Sequence, residues 1–167
     1  TSAIPQERRG GYRDYWMAAD VLEFTSHGYN GYVYNADNER VPFMGYRADC
    51  INNFAIDFLH GRKEQTEPFF LFISQIEPHH QNDRRRYEGP DGSRAQFADF
   101  QPPGDLAACS RACAQGTDVS NWRENYPDYL GCCHSLDYNV GRLVDTLKEQ
   151  GMWENTILVY TADHGSH

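Results

Sequence analysis

Two runs of the chain are apolar almost without interruption, Phe69-Phe70-Leu71-Phe72-Ile73-Ser74-Gln75-Ile76 and Ile157-Leu158-Val159-Tyr160-Thr161-Ala162. Each is short for a helix, rich in β-branched or aromatic residues, and lacks the alternation of a half-exposed strand, which is the pattern of a strand covered on both faces. Two other stretches carry the three- and four-residue spacing of amphipathic helices. Cys50, Ile51, Phe54, Ala55, Phe58 and Leu59 form one broad face between Tyr46 and His60, closed by Gly61. Tyr129, Cys132, Cys133, Leu136, Val140, Leu143, Val144 and Leu147 form another, closed by Gly151. Helix, short link and strand make half of a parallel crossover unit. The pattern therefore predicts an α/β fold: a three-layer sandwich with a mostly parallel central sheet, strands near 69–76 and 157–162, and covering helices near 46–60 and 128–150.

The remainder is less regular. A brief helix from Trp16 to Phe24, a turn over Ser26 to Gly31, a strand at Tyr32-Val33-Tyr34 and a hairpin-type turn at Asn35 to Glu39 read as decoration on the core. His27 and its neighbouring tyrosines read as an ordinary surface loop. Between Asp83 and Tyr126 the chain turns to Arg, Asp, Gly, Pro, Ser and Gln, with Gln101-Pro102-Pro103-Gly104-Asp105 at the centre and a short helix expected from Leu106 to Cys113. A connection of about forty residues is far longer than the usual few, and long insertions at a sheet edge shape substrate pockets. The chain reads as one partial domain, residues 1–167, with a long loop insertion at about 81–126.

Composition narrows the classes. The 167 residues, 40% hydrophobic and 14% aromatic, suffice for one core of ordinary size. No run approaches membrane-spanning length, and the first ten residues lack the apolar core of a secretory signal. The missing initiator Met suggests removal of something before Thr1, and the compartment stays open between cytoplasmic and secreted or periplasmic. A formal net charge of -9 argues against a nucleic-acid surface, and Arg84-Arg85-Arg86 is too short a cluster to reverse that. Of the five cysteines, Cys50, Cys132 and Cys133 fall on apolar helix faces as reduced thiols, while Cys109 and Cys113 are four apart and open to pairing.

Both apolar runs end in chemistry. The first leads into Glu77-Pro78-His79-His80-Gln81 and the second into Asp163-His164-Gly165. Ligands of open α/β sheets bind outside the carboxyl ends of the strands, so His79 and His164 are expected to face one crevice. Asp163 and His164 are candidate metal ligands, a carboxylate and an imidazole suited to zinc, manganese or calcium. Leaving strand geometry at Gly165 is what would let two adjacent side chains share a cation. An imidazole at His79 can ligate a metal, donate to an anion or protonate a leaving group. The bland alternative is a loop that merely ends in polar residues. Asp137, beside the apolar stripe of the later helix, reads as structural.

Taken in order, these segments resemble a sulfatase of the alkaline phosphatase superfamily: the apolar run into Pro78-His79, the helix through Leu136-Asp137-Tyr138-Asn139-Val140-Gly141-Arg142-Leu143, the link Gly151-Met152-Trp153-Glu154-Asn155-Thr156, and the run into Asp163-His164-Gly165. Gly11-Tyr12, Tyr15-Trp16 and Gly45-Tyr46-Arg47-Ala48-Asp49 are similar too. The resemblance implies one divalent cation, usually calcium, beside a formylglycine whose hydrated aldehyde attacks the sulfur of a sulfate ester. Asp163 and His164 match the late metal ligands, His79 matches the histidine that contacts the sulfate, and Asp137 matches a structural helix position.

Departures matter equally. The family's early Asp-Asp metal pair, its Lys-x-x-His region and its Cys-x-Pro-x-Arg segment do not occur, and no cysteine here is followed by the required Pro and Arg. The expectation is the middle portion of a sulfatase catalytic domain, cut at both ends, with the formylglycine upstream. By itself it would hydrolyse no sulfate ester and would bind metal weakly. Its partners would be a sulfated small molecule or carbohydrate, with no nucleic acid and no membrane, and open strand edges would be met by the missing parts of its own domain or by an oligomer partner. The alternatives are a fragment of a related phosphodiesterase or phosphonate monoester hydrolase, or a non-catalytic α/β binding domain.

Overall fold

Strand β1, Tyr29–Tyr34, pairs antiparallel with β2, Arg40–Tyr46, placing Val33 opposite Val41 and Tyr34 opposite Arg40. The turn between them is built by Asn35, whose Oδ1 accepts the N–H groups of Asp37 and Glu39 at 3.0 and 2.9 Å. Asn38 takes the left-handed conformation, φ 64°, which asparagine tolerates. Register shifts between Tyr29 and Gly31, where a Cβ would lie 2.5 Å from Ser26 Cβ, so only glycine admits this approach.

The computed structural model describes residues 2–101 and 122–164, which fall into two compact units, Thr1–Ile76 with Asp137–His167, and Glu77–Leu136. In the first unit helix α1, Arg47–Gly61, follows β2 without a loop, and its first N–H donates to the Gly28 carbonyl at 2.7 Å. Of the face read from the sequence, Cys50, Ile51, Ala55 and Leu59 are buried and Phe54 and Phe58 half-buried, and Ala48 is buried as well. Val33, Phe43, Cys50 and Ile51 make the core, with Met17, Leu22, Val41, Phe54 and Ile73 packed against it. Burying a side chain such as Leu59 contributes about 1.5–3 kcal/mol. The hairpin thus supplies half of this core, which corrects its reading as decoration. The helix expected from Trp16 to Phe24 reduces to a single 3-10 turn, Leu22–Phe24.

In the second unit a short helix α2, Ser93–Gln96, lies against the long helix α3, Trp122–Glu149. Gly131 of α3 receives Ser93 so closely that a Cβ there would stand 2.0 Å from Ser93 Oγ. Helix α3 starts on the far side of Pro127, earlier than its apolar stripe, which begins at Tyr129. Its later residues, in the first unit, bond to α1: Asn139 Nδ2 donates to Asp49 Oδ1 at 2.7 Å and Arg142 Nη2 to Asn53 Oδ1 at 2.6 Å. Asp137, read as structural, is exposed on this helix.

The expected α/β three-layer sandwich with a mostly parallel sheet is not what forms. Among the described residues the sheet is the antiparallel pair β1–β2, in a small, mostly helical fold, and the runs 69–76 and 157–162 have no strand partner. An apolar run reports what its side chains prefer, whereas a sheet also requires a neighbouring backbone to bond. Phe69, Leu71 and Ile73 are half-buried while Phe70, Phe72 and Ser74 are exposed, the period of two that an extended chain gives. Phe69 meets the Phe58 ring at 5.4 Å, and the Tyr12 ring lies 6.1 and 6.4 Å from Phe70 and Phe72. In the other run Ile157 is 93% exposed. The helix expected at Leu106 to Cys113 and the pairing of Cys109 with Cys113 lie outside the described residues. Cys50, Cys132 and Cys133 are thiols outside any disulfide, the first two buried and the third half-buried.

Candidate functional site

In the second unit the chain passes from buried Glu77 to exposed His79, whose ring stacks on His80 with centroids 4.8 Å apart and 12° between planes. His80 meets the Tyr87 ring at 6.2 Å, Tyr87 meets Tyr129 at 5.3 Å, and Tyr129 stacks on Tyr126 at 6.0 Å. His79 is therefore the exposed end of a row of rings rooted on α3. A ring held on one face by its neighbour presents its nitrogens to solvent along the edge, where an anion can accept from an N–H.

The root of that row is electrostatically distinctive. Burial pushes the Tyr129 phenol up to about 12, with Cys133 adding to the effect. Burial likewise raises the Cys133 thiol, although its hydrogen bond with Tyr129 acts the other way. At the residue before Tyr129, burial raises Asp128 against the opposing pull of Arg94, whose guanidinium stands 2.8 Å from the carboxylate.

In the first unit Asp163 Oδ1 accepts the backbone N–H of His164 at 2.8 Å, and Asp163 Oδ2 lies 3.6 Å from His164 Nε2. Both side chains are open to solvent, 86% and 78% exposed. The local turn brings adjacent side chains to one place, which a regular strand would not do. A carboxylate oxygen and an imidazole nitrogen suit a divalent cation, and they amount to part of a donor set. Among the described residues no group of three or more His, Cys, Asp and Glu is arranged to hold a metal ion. His79 belongs to one unit, and Asp163 and His164 to the other.

One arrangement escaped the sequence reading. Gln81 N–H donates to the Arg86 carbonyl at 2.8 Å and closes a tight hairpin, so Arg84 and Arg86 both reach Glu88. Arg84 Nη1 stands 2.7 Å from Glu88 Oε1, and Arg86 Nη2 and Nε stand 3.1 and 3.4 Å from the same oxygen. The signal available was the spacing, Glu88 being four residues after Arg84 and two after Arg86.

The family model described as Sulfatase matches residues 6–167, so the chain belongs to the sulfatase family, within the alkaline phosphatase superfamily. Among its relatives, the ulvan-active sulfatase of Formosa agariphila is 30% identical over 164 residues, covering 96% of this chain and 29% of that protein. The uncharacterized sulfatase YdeN of Escherichia coli is 28% identical over 138 residues, covering 83% of this chain and 20% of that one. A crystal structure of a protein described as a sulfatase, yidJ from Bacteroides fragilis, superposes with a TM-score of 0.69 at 25% identity, over 92% of this chain and 32% of its own. The chain thus spans under a third of the length of the two curated relatives. Among the described residues no helix is long and apolar enough to cross a membrane.

Proposed function

We propose that residues 1–167 form the middle portion of one sulfatase catalytic domain, with the 81–126 insertion shaping its substrate pocket, and that the whole protein hydrolyses sulfate esters of a carbohydrate. The observation that carries this reading is the family match running from residue 6 through Asp163 and His164. An imidazole N–H of His79 donates to a sulfate oxygen and holds the ester in place. Asp163 and His164 supply two ligands of a divalent cation, calcium by family resemblance, which when bound polarises the sulfuryl group. The Asp163 carboxylate fits a hard cation while His164 brings a nitrogen, so the two cover only part of a coordination shell of six to eight positions and the remaining ligands come from elsewhere or from water. The nucleophile is a formylglycine outside residues 1–167. The ulvan-active relative supports a sulfated carbohydrate as substrate.

The reading is tested by calorimetric titration of the chain with calcium, magnesium, manganese and zinc, and by assays of chain and full-length protein on an aryl sulfate and an aryl phosphate diester. Weak binding lost on Asp163→Asn, no turnover by residues 1–167, and sulfate ester turnover by the longer protein that falls on His79→Ala are expected. Turnover of the diester in preference to the sulfate would place the protein with the phosphodiesterases instead.

A further inference from the structure

We infer that Asn52 and Gln75 together hold an internal water molecule between α1 and the extended run 69–76. The site lies within the first unit and is independent of the activity proposed for the whole protein. Asn52 is 1% exposed on α1, and neither Nδ2 nor Oδ1 of its side chain has a hydrogen-bond partner among the described residues. Gln75, half-buried on the run, is satisfied at one end only. Its Nε2 donates to the Ala48 carbonyl at 3.3 Å, while its Oε1 is buried and has no such partner. Ala48 stands four residues before Asn52, about one helical turn. Side chains of a helix lean back over the turn that precedes them, so the Asn52 amide is carried towards the carbonyl on which Gln75 rests.

Water is the ligand whose chemistry fits. A buried amide atom left unbonded forfeits its hydration with nothing in return, and native folds rarely leave one residue in that position at both ends. Buried waters settle where otherwise unbonded polar groups converge, and they are small enough to be enclosed by a side chain that is 1% exposed. An ion is disfavoured, since two neutral amides bring no net charge to offset its desolvation. The water accepts from Asn52 Nδ2 and donates to Gln75 Oε1, which satisfies one atom on each residue. It thereby joins the helix to a run whose backbone has no strand partner among the described residues.

The test is magnetisation transfer from water to protein, read by NMR on the isotope-labelled chain. The Asn52 side-chain N–H protons are expected to show a cross-peak of the sign that marks a water held longer than the tumbling time of the protein. The exposed amide of Gln96 serves as the control and is expected to show rapid exchange alone. Gln75→Met keeps the volume and removes the acceptor, so it should abolish the slow-water cross-peak. Absence of that cross-peak in the parent chain, or its survival unchanged in Gln75→Met, would overturn the site. Urea unfolding gives a second reading. Asn52→Leu leaves Gln75 Oε1 without its water, so the folding equilibrium constant should fall about ten-fold, and adding Gln75→Met should restore part of the loss. An unchanged or higher constant in Asn52→Leu would show that the amide had no partner to lose, and would overturn the proposal as well.

Discussion

Asn139 on α3 donates to Asp49 on α1, Nδ2 to Oδ1 at 2.7 Å, and accepts from Arg142 Nη1 through its own Oδ1 at 2.9 Å. With Asn139 2% exposed, one buried amide joins a half-buried carboxylate and a half-buried guanidinium. Asn139→Ala leaves both without that partner and is expected to destabilise the chain by about 1–3 kcal/mol in urea unfolding. A double-mutant cycle with Asp49→Ala should give a coupling above ~0.5 kcal/mol. A loss no larger than that of an exposed alanine substitution would show the bond to be idle.

Arg9 is a buried guanidinium that donates to the carbonyls of Ile4 and Ala36, each at 3.0 Å, and to Asn38 Oδ1 at 2.7 Å, and it lies 4.9 Å over the Trp16 ring. Its planar fork ties the amino-terminal segment to the hairpin turn. Arg9→Lys keeps the charge and loses the fork, so it should cost about 2–4 kcal/mol, close to the effect of Arg9→Ala. Thermal unfolding of the two variants decides it, and a lysine variant as stable as the parent would refute the geometric account.

Gly131 leaves no room for a methyl group, since a Cβ would stand 2.4 Å from Ser93 Cβ. Gly131→Ala is expected to destabilise by about 1–3 kcal/mol through overpacking, although alanine is the better helix former. Adding Ser93→Gly removes the opposing atoms and should restore most of that loss. Failure of the second substitution to restore stability would mean that the clash is not the cause.

The Tyr129 phenol is held protonated up to about 12 in the fold against an ordinary 10.0, chiefly by burial and then by Cys133. Between those values the unfolded chain has released a proton that the folded chain retains. The associated stability is present in full below about pH 10 and is lost as pH rises to about 12. Tyr129→Phe should flatten that part of the stability profile, and the difference in ultraviolet phenolate titration between parent and variant should place the missing transition near 12. A difference transition near 10.0 would show the phenol to be unshifted.

Helices α1 and α3 were legible in the sequence because their spacings of three and four put one apolar face on each, and the structure buries Cys50, Ile51 and Ala55 on the first and Cys132, Leu136 and Leu147 on the second. The hairpin was only half legible. Its turn follows from Asn35 to Glu39, but the start of β1 at Tyr29 depends on Asn30 at φ 62° and on the close approach at Gly31, which no hydrophobic pattern records. The apolar runs misled for a related reason, since Phe70 and Phe72 look the same in sequence whether or not a strand lies beside them. At the candidate site the adjacency of Asp163 and His164 follows from their order in the chain, and their approach to 3.6 Å from the turn. The sequence showed Arg84-Arg85-Arg86 only as a short basic cluster, because the meeting of Arg84 and Arg86 on Glu88 exists only once Gln81 and Arg86 have paired.

The Tyr12 ring lies near Phe70 and Phe72, which stay 76% and 66% exposed in a run whose backbone has no strand partner among the described residues. Five apolar residues with strong β propensity, uncharged and free of proline, are what recruit a like segment from a neighbouring molecule. Those exposed rings therefore bear on a colloidal property as well as a packing one. Replacing Phe70 and Phe72 by polar residues is the change that would raise the concentration at which the chain stays dispersed, by removing a template for self-association.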